Sequence, residues 1–109
     1  MQTSQIQPLL EFAISVVRRV RPIVERCDKS LGDQLRRSIN SVALNLAEAS
    51  GSHGGNRRAR LATARGSALE ARAAIQLAAA WGHVDDALAE SVDRDLDRLS
   101  ARLYGLARR

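Results

Sequence analysis

Leu31, Leu35, Ile39, Val42 and Leu46 stand four, four, three and four residues apart, the spacing that brings side chains onto one face of an α-helix. A stripe of this kind has to be buried, and the chain has 109 residues from which to supply the cover, enough for one domain with one core. Two further apolar series are available. The first is Ile6, Leu9, Leu10, Ala13, Ile14, Val17, Val20 and Val24; the last is Leu88, Val92, Leu96, Leu99, Leu103 and Leu106. Between them lies a run dense in alanine, with Ala68, Ala71, Ala73, Ala74, Ala78, Ala79 and Ala80. No alternating strand pattern occurs, and Ala, Leu and Arg, all strong helix formers, dominate. The only aromatic residues are Phe12, Trp81 and Tyr104, so small aliphatic side chains do the packing and the helices have to approach closely. The fold class is all-α.

The breaks between helices follow from local chemistry. Pro22 interrupts the first series and removes a backbone donor, which predicts a kink or short break. Ser30, with Asp33 three residues on, reads as a helix start whose carboxylate sits near the positive helix end. Gly51-Ser52-His53-Gly54-Gly55 is the one strong linker, and Asn56 can cap the third helix. Gly82 suits a left-handed helix end and Asp85 a cap for the last helix. The expectation is a single domain over residues 1–109 with helices near 6–28, kinked at Pro22, then 30–50, 56–81 and 85–107. Short loops between them predict an antiparallel up-down-up-down four-helix bundle.

The second helix carries polar residues beside its stripe. Asp33, Gln34, Leu35, Arg36 and Arg37 are followed by Ser41, Asn45, Ala47 and Glu48, and later by Arg65, Gly66, Ser67 and Glu70. This order, D-Q-L-R-R, then S-x-x-x-N-x-A-E, then R-G-S-x-x-E, resembles the four-helix-bundle family named after proteins encoded in 23S rRNA intervening sequences. That family includes the accessory variability proteins of diversity-generating retroelements. Ala43 stands where the family pattern has proline and Ala49 where it has glycine, which moves the expected helix stop to Gly51. The resemblance implies a ring-shaped homo-oligomer, a pentamer, and as possible partners RNA or DNA or a reverse transcriptase. The surplus of apolar surface on the alanine-rich helix fits such an assembly.

Asn45 and Glu48 share a helix side and read as packing and register determinants. The Asn45 amide can bond backbone or the Ser67 hydroxyl, and Glu48 can meet Arg65 or Arg37. Gly66 and Ser67 are small enough to let the third helix approach the second at that level.

Charge is the other informative quantity. Seventeen basic residues against twelve acidic ones give +5, and all the basic residues but Lys29 are Arg, the residue suited to phosphate forks. Arg57, Arg58, Arg60, Arg65 and Arg72 share the stretch Gly55 to Val84 with a single acid, Glu70. Arg58, Arg65 and Arg72 lie seven apart and form a stripe about 20 Å long that can follow a nucleic-acid backbone. Arg18, Arg19 and Arg21 end the first helix, and Arg36 and Arg37 lie on the second. The alternative is structural: the Arg stems cover Leu61 and Leu69 while their heads pair with Asp86, Asp93 or Asp97. Glu90 with Arg94 and Asp95 with Arg98 read as pairs on the helix surface. The two functional expectations are therefore nucleic-acid binding by an oligomeric bundle and a self-assembly module with internally paired charges.

Residues for catalysis are sparse. Cys27 is the sole cysteine, which excludes an internal disulfide and a thiolate zinc cluster and reads as a structural thiol. His53 and His83 show no ligand spacing, Glu-x-x-His repeats are absent, and the glycine linker lacks the Lys-Ser/Thr ending of a P-loop. No enzyme activity, metal or cofactor is expected. No segment reaches bilayer length and Glu11 interrupts the nearest candidate leader, so a cytoplasmic protein with no membrane partner is expected.

Overall fold

Four helices form because each carries apolar residues in alternating steps of three and four, the seven-residue repeat of a bundle seam. The computed structural model describes residues 2–108, with side chains from residue 5 onward. Among the described residues there are four helices and no strand: α1 (Gln2–Arg26), α2 (Lys29–Ser50), α3 (Gly54–Ala80) and α4 (Asp86–Ala107). α2 packs on α1 and α3, and α4 packs on α3 and more lightly on α1. The result is a bundle-like body 42 Å long and 23 by 19 Å across.

The buried apolar sets are Ile6, Leu9, Ala13, Val16, Val20 and Ile23 on α1; Leu35, Ile39, Val42, Leu46 and Ala49 on α2; Leu61, Ala64, Ala68, Ala71, Ala74, Ile75 and Ala78 on α3; and Ala89, Val92, Leu96, Leu99, Leu103 and Leu106 on α4. Each buried Leu, Ile or Val contributes about 1.5–3 kcal/mol relative to exposure, and the alanines of α3 let the other helices come close. The α2 series is buried as the spacing requires, with Leu31 partly covered at its start. The α1 series needs correction. Ile14 is 41% exposed, Val17 and Val24 lie partly covered at the margin, and Val16 and Ile23 take the inward positions. The apolar residues of α1 occupy more than one face, and only the subset spaced three and four apart points inward.

The ends of the helices differ from expectation in three places. α1 runs unbroken through Pro8 and Pro22; Pro22 is exposed, and the carbonyl it leaves without a helical donor belongs to exposed Arg18. α2 is capped by Asp28, whose carboxylate accepts the Leu31 N–H at 3.1 Å, and Ser30 lies inside the helix. Helical bonding in α3 begins with the Arg57 N–H on the His53 carbonyl at 3.3 Å, so Asn56 falls within the first turn and no side chain caps it. The other two ends match their residues. Asp85 accepts the Leu88 N–H at 2.8 Å, and Gly82, at φ +80°, closes α3 with its N–H on Ala79 O and the His83 N–H on Ala78 O.

The glycine that permits close packing is Gly32, not Gly66. A methyl group on Gly32 would lie 3.1 Å from the Val24 carbonyl oxygen and 3.6 Å from Cys27 Cβ, where α2 starts against the end of α1. Gly66 is exposed, and nothing lies within 4 Å of where its Cβ would be.

Candidate nucleic-acid interface

The polar residues beside the α2 stripe form three rungs to α3. Gln34 donates to Glu70 at 2.6 Å, Ser67 donates to the Ser41 hydroxyl at 2.7 Å, and Arg60 meets Glu48 at 2.9 Å. On α2 the rungs fall seven residues apart, at 34, 41 and 48, which keeps them on one side of the helix. The middle rung is extended by Asn45, whose amide donates to the Ser41 carbonyl at 2.9 Å and to its hydroxyl at 3.1 Å. Asn45 thus reaches Ser67 through Ser41. Glu48 pairs with Arg60 and not with Arg65 or Arg37, because residue 60, not 65, stands opposite position 48 on the side facing α2. Asp33 takes Lys29 at 2.9 Å, which holds its carboxyl below the usual range, and Arg37 donates to the Gln34 amide oxygen at 3.0 Å. The middle rung is partly buried, and the two outer rungs lie at the surface.

The arginines divide into two groups according to their surroundings. Arg72 is held by Asp93 at 2.9 and 3.2 Å and by Asp97 at 2.9 Å. These bonds hold the Asp93 carboxyl below its ordinary pKa, chiefly through the Arg72 guanidinium, and raise Arg72 in turn. Arg65 lies over the Tyr104 ring, 4.8 Å from its centre, a cation–π contact. Arg19 is bonded to Asp95 and donates to Ser91 at 2.6 Å, and Arg60 is occupied by Glu48. The seven-residue series Arg58, Arg65, Arg72 is therefore not a uniform line of free charge. Asp95 also approaches Arg98 at 4.0 Å, whereas no ion pair joins Glu90 and Arg94 among the described residues.

Arg18, Arg36 and Arg37 are exposed and make no ion pair within 4 Å among the described residues, and Arg58, also exposed, folds back to within 3.9 Å of where a Cβ on Gly55 would lie. Arg36 and Asn40 border a groove of about 320 Å³ between α1 and α2, with Val17, Val20, Val24 and Ile39 lining it and Arg21, paired with Glu25 at 3.7 Å, on its other wall. Arg57 stands apart: it is 7% exposed on the inward side of α3, and its Nη2 has no hydrogen-bond partner.

Two further features stand out, one of them the surplus apolar surface expected on the alanine-rich helix. Along α3, Ala59, Ala62, Gly66, Leu69, Ala73 and Leu77 are all exposed at steps of three and four, a second apolar stripe on the side away from the core. At the far end of α3, Trp81 is 73% exposed and lines an open cleft of about 590 Å³ with Asp28, Ser30, Leu31, Gln34 and His83. His83 Nε2 lies 3.3 Å from Asp28 Oδ1. The Leu31 N–H, followed by His83, holds the Asp28 carboxyl below its usual range. Cys27 is partly buried, and burial with the neighbouring Asp28 carboxylate pushes its thiol pKa up, so it is a weak nucleophile. Among the described residues no three His, Cys, Asp or Glu side chains gather as a metal site, and no helix is long and apolar enough to cross a membrane.

A family model described as 23S rRNA-intervening sequence protein matches residues 4–105. Among solved structures, the chain is similar to a protein of unknown function from the S23 ribosomal protein family of Bacteroides thetaiotaomicron. The identity is 20%, the TM-score 0.83, and all of both chains is covered. No curated protein matches the sequence.

Proposed function

The chain belongs to the 23S rRNA-intervening sequence protein family, and from this we propose that it is a non-enzymatic, self-assembling helical bundle that holds RNA by its phosphates. The observation that carries the reading is the division of the arginines. Arg19 and Arg72 are neutralised by Asp93, Asp95 and Asp97 of α4, whereas Arg18, Arg36 and Arg37 on α1 and α2, and Arg58 at the start of α3, are exposed without a carboxylate partner among the described residues. Guanidinium groups exposed to water bind phosphate by counterion release, with little dependence on sequence. Gln34, Ser41, Glu48, Ser67 and Glu70 of the family signature are engaged in rungs between α2 and α3, which supports a scaffold role for them in place of catalysis.

The rungs also support an antiparallel course, since their positions rise along α2 as they fall along α3. The exposed stripe from Ala59 to Leu77 is the surface on which copies of the chain pack, as helices with small residues approach closely. A homopentameric ring, the form the family resemblance implies, places the arginines of five subunits around one axis and adds up weak phosphate contacts by multivalency. Such a protein works in the cytoplasm, where its RNA is.

RNA affinity measured across a salt series tests the reading. The logarithm of the binding constant falls linearly with the logarithm of salt concentration, and replacing Arg36 and Arg37 by Ala reduces the slope by about one per lost phosphate contact. Arg72→Ala, assayed well below its melting temperature, leaves the slope unchanged. Absence of RNA binding even at low salt overturns the proposal and leaves the alternative, a self-assembly module whose charges serve the fold.

A further inference from the structure

We infer that the cleft at the α2–α3 end of the bundle is a stacking site for one unpaired nucleobase, with Trp81 as its platform; the inference rests on the proposed RNA binding and names what that surface recognises besides phosphate. Trp81 caps the C-terminus of α3, and its side chain is 73% exposed although it is the largest apolar group of the chain. An indole left open in this way offers a flat π-face on which any base can stack. The surroundings give the cleft the rest of what a base needs. Asp28, Ser30, Gln34 and His83 line it, so acceptors and donors stand within the same opening as the ring.

Asp28 is held ionised and its two oxygens are engaged once each, by the Leu31 N–H and by His83. A carboxylate has about four lone-pair sites, which leaves capacity for the amino and imino hydrogens on a base edge. The site also adjoins positive charge: Gln34, in the cleft wall, is bonded at 3.0 Å to the Arg37 guanidinium. Arg37 is thereby tied to a residue of the cleft wall, which also donates to the Glu70 carboxylate, and in the proposal it takes the phosphate of the same nucleotide. Base stacking on an aromatic ring, with a guanidinium within reach of the backbone, is how single strands are bound without sequence readout. A duplex keeps its bases stacked on each other and presents none to the ring.

Because Trp81 is the sole tryptophan, its emission reports on this cleft alone. The experiment titrates the full chain at low salt with a short single-stranded RNA, with the same sequence as a duplex, and with an abasic strand of equal length, recording both binding and fluorescence. The single strand is expected to quench Trp81, and the duplex and the abasic strand to bind without quenching. Trp81→Ala is expected to weaken single-strand binding by about tenfold while duplex binding is kept, and Trp81→Phe to restore most of the loss. Binding of the single strand with unchanged emission, or equal affinity for Trp81→Ala, overturns the inference and leaves the phosphate reading standing. Failure of all three nucleic acids to bind overturns both. A change in solution mass for Trp81→Ala places the ring between copies of the chain and also overturns the stacking site.

Discussion

Replacement of Gly66 by Ala should stabilise the chain, although the glycine sits within the family signature. Gly66 lies well inside α3 (Gly54–Ala80) and its backbone is not in the left-handed region. A glycine in a helix interior costs about 1 kcal/mol relative to alanine, because the unfolded chain has more freedom to lose. The gain is realised only where the added methyl group meets no clash, and nothing lies within 4 Å of that position. For 109 residues the unfolding entropy at the midpoint is about 0.23 kcal/mol per kelvin, so 1 kcal/mol raises Tm by about 4 °C. Circular dichroism melts combined with light scattering at the same concentration read both quantities. Gly66→Ala should melt about 4 °C higher. Gly66→Leu places a large side chain on the exposed stripe; it should keep the helical spectrum and lower the assembled mass. If both variants melt below the wild type as species of monomer mass, the glycine is required within the chain and the reasoning fails.

Removing the Arg72 guanidinium by Arg72→Ala leaves Asp93, itself mostly buried, without its main partner; a loss of about 2 kcal/mol lowers Tm by about 9 °C in a thermal melt, and a change under a third of that size would show the cluster to be ornamental. The Asp93 pKa is depressed in the folded state, so its contribution is present above the unfolded carboxylate pKa of about 4 and is lost as pH falls through the lower folded value. The acid limb of a Tm–pH profile should accordingly be shallower in Arg72→Ala than in the wild type. Asp85→Ala deletes the acceptor for the Leu88 N–H and should cost about 1 kcal/mol, read as a shift in the urea midpoint at constant slope. Ala71→Leu inserts three carbons where Ala71 is fully buried. Overpacking of about 1–3 kcal/mol should lower Tm in the same assay, whereas a neutral result would mean that α3 is not seated against the core as described.

The helices were largely legible because a period of three and four survives any local accident. The α2 stripe is the clearest case: its apolar residues lie mostly on one side, so period and burial agree. α1 was less legible because Ile14 and Val17 extend its apolar residues beyond one face, and only the partners in space decide that Val16 and Ile23 turn inward. Asp28 and Ser30 both stand at the start of the same helix, and composition cannot rank two good caps two residues apart. The arginines were least legible. Whether Arg72 faces phosphate or an aspartate depends on the rotation of α4, which places Asp93 and Asp97 on the α3 side and Asp95 on the α1 side. The exposure of Trp81 is not legible for a related reason: an aromatic residue at a helix end is as readily a core residue as a surface one, and its exposure is a property of what α2 leaves uncovered.

The division of acids along α4 has an evolutionary consequence. Asp95 reaches Arg19 on α1, while Asp93 and Asp97 reach Arg72 on α3. α4 is thus tethered on two sides by carboxylates within five consecutive positions, and turning it by one residue, about 100°, would break both attachments at once. Relatives that lose the charge at position 19 are free to change position 95 without changing 93, and those that lose Arg72 release 93 and 97 together. Aligned sequences should therefore show two independent covarying sets, one at 19 and 95 and one at 72, 93 and 97, and a deletion inside that span of α4 should be absent from chains that keep both.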